Sequence, residues 1–281
     1  MNALDACAPP PETGLYFFVN LPLAWIGRHP GLLGRFLDLG LSPEIGLEGL
    51  DLDDPEVERE ARRTAGVLRS VGRPHTVHLP FTGIAPAATD PDLARRTRTS
   101  LARAVELAGL FEPRRLVGHP YLHRARTPDQ IRLAAATAAT TWTTALAPWP
   151  DHPTLCLENT HEASPGPLAA LFGIMDGSRV GACFDVGHWH GFAGGRTGVS
   201  LREWVATLSS SLKHVHLHDN DGSGDQHLGL GNGGIDWVEF FGLLEEFRLA
   251  PTLTMEPHTE EDCAASLDFA RKHRAWFAHP Y

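Results

Sequence analysis

Carboxylate and imidazole side chains recur at the ends of short strand-like runs in this sequence. Glu158 closes Thr154–Glu158, Asp185 closes Val180–Asp185, His216 lies near the end of Lys213–His218, and Glu256 closes Thr252–Glu256. Three carboxylates and one imidazole suit a hard or borderline divalent ion such as Mn²⁺, Mg²⁺, Co²⁺ or Zn²⁺. Earlier runs end in Asn20, Glu48, His78 and His119. Any one of these is an ordinary polar residue; the same chemistry at equivalent positions of successive runs is a candidate metal centre. After Asp185, Gly187 permits a sharp turn that brings His188 back towards the same pocket. Asp225 and His227, two residues apart, can both reach one ion, whereas His190 reads as a supporting or solvent-facing group.

The elements that must position these groups alternate. Strand-like runs cover Leu15–Asn20, Pro43–Glu48, His75–Pro80, Arg115–His119, Thr154–Glu158, Val180–Asp185, Lys213–His218 and Thr252–Glu256. Helix-like runs fall near 31–40, 54–71, 91–110, 127–147, 165–176, 200–211, 236–247 and 260–276. Asp90, Thr127 and Ser164 each precede a proline and read as capping residues. Strands alternating with helices imply parallel strands with helical crossovers. Eight such units predict an α/β fold, a single (β/α)8 barrel over 15–281, with residues 1–14 as a loosely ordered extension. Successive strand residues point to opposite faces. His214, His216 and His218 therefore share one face and Val215 and Leu217 the other; Thr154, Cys156 and Glu158 likewise oppose Leu155 and Leu157. The polar set must point into the barrel, where buried polar groups are costly unless paired or ligated.

Composition narrows the function classes. At 42% hydrophobic and 21% charged, the chain is an ordinary globular sequence. A net charge of −10 gives no general attraction to nucleic acid or anionic membrane. Lysine occurs only at Lys213 and Lys272, and arginine is expected on helices, as at Arg95-Arg96, away from rim loops. The expected partner is a small-molecule substrate; a homo-oligomer is left open. No run approaches the roughly 20 apolar residues of a membrane span, no leader pattern opens the chain, and a cytoplasmic location is the expectation. The four cysteines, Cys7, Cys156, Cys183 and Cys263, make no CxxC. Asp219–Leu230 opens as a calcium loop does but ends in leucine where a glutamate is needed. Gly229–Gly234 formally matches GxGxxG but sits outside a first βαβ unit. It is expected to be a flexible rim loop, with phosphate recognition by its amides left open. Tyr16, Phe18, Trp25, Phe81, Tyr121 and Trp189 are core or wall residues, one or two of them lining a pocket.

From Leu15 to the helix after Glu256, the chain resembles the xylose isomerase-like barrel superfamily, which includes endonuclease IV. The resemblance is carried by His78-Leu79-Pro80-Phe81, Val117-Gly118-His119-Pro120, Leu157-Glu158-Asn159-Thr160, Cys183-Phe184-Asp185-Val186-Gly187-His188, His216-Leu217-His218-Asp219, Asp225-Gln226-His227 and Met255-Glu256-Pro257. It implies two activities. As in sugar isomerases and epimerases, Glu158, Asp185, His216 and Glu256 would bind one metal, Glu158 and Glu256 would move protons through an enediolate, and His188 would hold a substrate oxygen. As in endonuclease IV-like phosphodiesterases, His78, His119, His188, Asp225 and His227 would complete a set around three zinc ions. The isomerase or epimerase of a small sugar, polyol or sugar phosphate is the first expectation. The zinc phosphodiesterase is the second, and a non-catalytic binding barrel the third.

Overall fold

The structure, a computed structural model, describes residues 15–175 and 177–278; the expected extension 1–14 lies outside the described residues. Strands β1 (Phe18–Pro22), β2 (Ser42–Gly46), β3 (Thr76–His78), β4 (Arg115–Gly118), β5 (Thr154–Glu158), β6 (Val180–Asp185), β7 (Leu212–Leu217) and β8 (Thr252–Met255) pair in chain order. Every pairing is parallel, and β8 returns to β1 through Phe18↔Thr254 to close the barrel. Helices α1 (Leu23–Arg28), α2 (Leu32–Asp38), α3 (Pro55–Ser70), α4 (Pro91–Gly109), α5 (Pro128–Leu146), α6 (Gly166–Phe172), α7 (Val186–Phe192), α8 (Leu201–Leu208), α9 (Trp237–Glu246) and α10 (Glu260–Lys272) connect the strands. This is the (β/α)8 barrel that the alternation predicted.

Strands β5 and β6 match their expected spans residue for residue; others shift, because pairing sets their limits. β1 starts at Phe18 rather than Leu15, since its partners begin with Phe18↔Ser42, and β2 ends at Gly46, which leaves Glu48 outside the ladder. Asp90 accepts from Leu93 N, and Thr127 forms a full capping box with Gln130. Ser164 does not cap: α6 begins one residue later, with Pro165 at the cap position and no side-chain bond. Two short helices, α1 and α7, were not expected. Helix α7 begins directly on β6, with Asp185 accepting from His188 N at 2.6 Å. Gly187 is thus a helical residue rather than the pivot of a sharp turn. A Cβ there would lie 2.0 Å from His218 Cε1, so the glycine allows the helix to approach that ring.

Apolar residues on the outward strand faces, among them Val77, Leu116, Leu155, Leu157, Val215 and Leu217, join the helices in one continuous core. Inside, a small apolar layer of Val117, Cys156 and Cys183 lies beside fully buried Glu44, Thr76, His214, His216 and Thr254. A polar interior of this kind needs specific partners, and the parallel strands aim those partners at the C-terminal end.

Candidate metal centre

Each expected ligand reaches one cavity by a short local route. Glu158 and Asp185 are the last residues of β5 and β6; His216 is on β7; His119 and Glu256 follow β4 and β8 by one residue. Glu158 is the hub. Its Oε2 lies 3.2 Å from Nε2 of both His78 and His119 and 3.3 Å from His216 Nδ1, and its Oε1 lies 3.1 Å from His188 Nδ1. His216 Nδ1 is also 3.3 Å from Glu256 Oε1 and 3.8 Å from Asp185 Oδ2. On the far side, Asp225 stands 3.2 Å from His227 Nε2 and 3.5 Å from His188 Nε2. All nine sequence-predicted site residues are therefore brought together. Positive φ at His227 (51°), outside any helix end, aims its ring inward.

The residues present fit divalent metal. Donors around a tetrahedral zinc with bonds of about 2.0–2.1 Å lie about 3.3 Å apart, close to the 3.2 Å at which Glu158 Oε2 stands from His78 Nε2 and from His119 Nε2. Three imidazoles are also held in one tautomer by the backbone. His78 Nδ1 donates to Leu79 O at 2.8 Å, His188 Nδ1 to Asn159 O at 2.9 Å, and His227 Nδ1 to Glu256 O at 2.6 Å. Each then turns Nε2 towards a carboxylate, where a proton or a metal ion must lie between. Neither ring nitrogen of His216 makes a well-aligned hydrogen bond among the described residues. Phe81 stacks on His119 at 4.6 Å and fixes that ring.

The electrostatics separate the two glutamates. Burial disfavours the Glu158 carboxylate, but His216 and His119 hold it well below the ordinary range. Burial, reinforced by Glu158, pushes Glu256 up against the pull of His216. Burial works against the His227 imidazolium, yet Asp225 and Glu256 raise it to about 9. Asp225 is held low by His188 and His227 despite its own burial.

Sequence reasoning missed two participants. His218 lies 3.2 Å from the Asp185 carboxylate and joins His188, Asp225 and His227 in a group that could hold an ion. Glu44, buried inside the barrel, touches His214 and His216. Strand alternation placed His218 inward, and the same rule applied to β2 would have turned Glu44 inward. Glu48 instead accepts from Phe81 N and Thr82 N on the rim. His190 is a supporting group, bonded to Asn220 Oδ1 at 2.7 Å.

The glycine-rich stretch is anchored by hydrogen bonds rather than open as a phosphate cradle. The buried Asp219 carboxylate accepts from Asn220 N, Gly231 N, Ile235 N and Trp237 Nε1, Gly229 N donates to Asp262, and Leu230 N to Ser266. Asn232 N donates to Gly229 O and Gly234 N to Asn220 O, so five of the six amides of Gly229–Gly234 are committed to the fold. Trp25, Phe81, Tyr121 and Phe192 line a cavity of about 490 Å³ whose floor carries the ligand cluster. Arginine is not confined to helices as expected: Arg124 and Arg126 sit on the loop between β4 and α5, with Arg124 5.4 Å over the Tyr121 ring.

A closed parallel barrel with acid and imidazole donors converging at its C-terminal rim defines an α/β barrel with a candidate metal site. Residues 41–275 match the family described as xylose isomerase-like TIM barrel, and the chain belongs to that family. Among solved structures, the TTHB071 protein from Thermus thermophilus, soaked with ZnCl2, is 25% identical with a TM-score of 0.71, covering 92% of this chain and 97% of its own. A D-tagatose 3-epimerase-like protein (18% identical, TM-score 0.70, 92% and 97% covered) and endonuclease IV from Thermus thermophilus (22%, 0.62, 93% and 98%) share the fold. An uncharacterized protein of Methanocaldococcus jannaschii, MJ1311, is 27% identical over 113 residues; the match spans 39% of this chain and 36% of that protein. No helix among the described residues is long and apolar enough to cross a membrane.

Proposed function

We propose that this barrel is a multinuclear metal-dependent hydrolase of small phosphate esters. One observation carries the reading: His78, His188 and His227 all donate Nδ1–H to backbone carbonyls and present Nε2 to a carboxylate. A single-ion isomerase needs only Glu158, Asp185, His216 and Glu256, and gives His78, His119, Asp225 and His227 nothing to do. Divalent ions at these positions would supply charge stabilisation at a phosphoryl oxygen and a more acidic water. His78, His119 and Glu158 would hold one ion; Glu158, Asp185, His216 and Glu256 a second; and His188, Asp225 and His227 a third. Glu256, whose proton affinity burial raises, would serve the second ion as a carboxylate ligand close to the reacting groups. Trp25, Phe81, Tyr121 and Phe192 would form the apolar walls around the substrate. A cavity of about 490 Å³ suits a compact ester better than a duplex. TTHB071, at 25% identity and soaked with zinc chloride, supports the choice of metal.

A specific observation favours a second reading, the sugar isomerase or epimerase. The proton affinity of Glu158 is pulled down by His216 and His119 while burial raises that of Glu256, a separation that suits a base and an acid on opposite sides of a hydroxy-ketone. Elemental analysis separates the two. The hydrolase carries close to three zinc ions and loses one in His227→Ala, with loss of phosphoesterase turnover. A single ion unchanged by His227→Ala, together with sugar epimerisation abolished by Glu256→Gln, would establish the isomerase instead.

A further inference from the structure

We propose that Glu44 is a positioning residue for this centre: it accepts the Nε2–H of His216 and so turns the Nδ1 lone pair towards Glu158, Asp185 and Glu256. The inference rests on the metal-centre reading. Glu44 is 0% exposed, on β2, and lies 170 residues along the chain from His214. Its Oε2 is fully committed, accepting from Thr76 Oγ1 at 2.7 Å, Thr254 Oγ1 at 3.0 Å and His214 Nε2 at 3.1 Å. These donors come from β3, β8 and β7, so barrel closure itself fixes the plane of the carboxylate. Its Oε1 has no well-aligned partner among the described residues and faces His216 Nε2 at 3.0 Å. Two buried polar atoms, each without a well-aligned hydrogen bond, thus face one another, and hydrogen bonds of this type tighten when a metal draws the ring into place. An imidazole that gives one N–H to a carboxylate is fixed in tautomer and becomes a better ligand through its other nitrogen.

Glutamine is the informative replacement because it has the same shape and a single acceptor. With its oxygen kept towards Thr76, Thr254 and His214, the amide NH2 faces His216 Nε2 and forces a proton onto Nδ1, where the metal would bind. Flipped, the amide presents NH2 to the three donors instead. Neither orientation satisfies both sides.

The test titrates metal-free wild-type protein and Glu44→Gln with zinc against a chelator of known affinity. The expected result is full stoichiometry in the wild type, and one ion weakened about 10–100-fold in the variant with the others unchanged. A folded Glu44→Gln that binds all its zinc with wild-type affinity overturns the proposal and leaves the metal-centre reading standing. Wild-type protein that binds no zinc removes both. If the variant does not fold, nitrogen-15 spectra of the zinc-loaded wild type decide the matter. A protected, downfield Nε2–H on His216 supports Glu44 as its acceptor; a proton on Nδ1 overturns it.

Discussion

Replacing Gly187 by alanine tests whether close packing of α7 on His218 builds the site. The new Cβ would lie 2.0 Å from Cε1, 2.3 Å from Nε2 and 2.4 Å from Nδ1 of His218. Ordinary carbon contacts are about 3.5–4.0 Å, so the conflict exceeds 1 Å and cannot be absorbed by small shifts. The ring has no room to retreat: it is fully buried, stacks on His227 at 3.8 Å and sits 3.2 Å from the Asp185 carboxylate. Overpacking of this kind costs about 1–3 kcal/mol, against a helix-propensity gain of at most about 1 kcal/mol. The clash wins, and at about 2–4 °C per kcal/mol the melting temperature should fall by several degrees. Asp185 and His188 flank the insertion, so zinc affinity should fall at least about tenfold, since displaced supporting groups alone cost that much. Thermal unfolding and zinc titration read both effects. Gly242→Ala, on α9 with open space around its Cβ, is the control and should be neutral or slightly stabilising. Wild-type stability and zinc affinity in Gly187→Ala would refute the reasoning.

Two further outcomes follow from the same geometry. Each oxygen of Asp219 takes two donors, so Asp219→Asn leaves one pair facing an NH2 group. A loss of about 2–4 kcal/mol is expected, measured by denaturant unfolding, with faster amide exchange at Gly231 and Ile235; unchanged exchange there would remove Asp219 as the anchor of the loop. In metal-free protein, His227 at about 9 is raised above its unfolded value of about 6.5. Its contribution is complete below about 6.5 and is lost as pH rises through 9, so the melting temperature in chelator should decline over that window. Zinc should reverse the trend, because ligation needs the deprotonated ring; a flat metal-free profile between pH 7 and 9 would contradict the assignment.

The architecture and most of the donor set were legible in the sequence. Period-two alternation turned Glu158 and His216 inward, and the capping pairs at Asp90 and Thr127 opened two crossover helices where expected. These signals are local: the pleat and the helix end depend on a few neighbouring residues. Which partners each inward group meets was set by the folded barrel alone. Glu44 and His216 come from β2 and β7, and their 3.0 Å approach exists because the barrel closes. Gly187 looked like a turn residue because sequence reports backbone freedom, whereas its value lies in the ring of His218 against it. The anchoring of Gly229–Gly234 was not legible because Asp219, which holds Gly231 and the adjoining Ile235, acts from the far side of the loop. The faces of strands and helices follow from short-range stereochemistry, while ligand geometry depends on contacts between strands far apart in the chain, which no local pattern encodes.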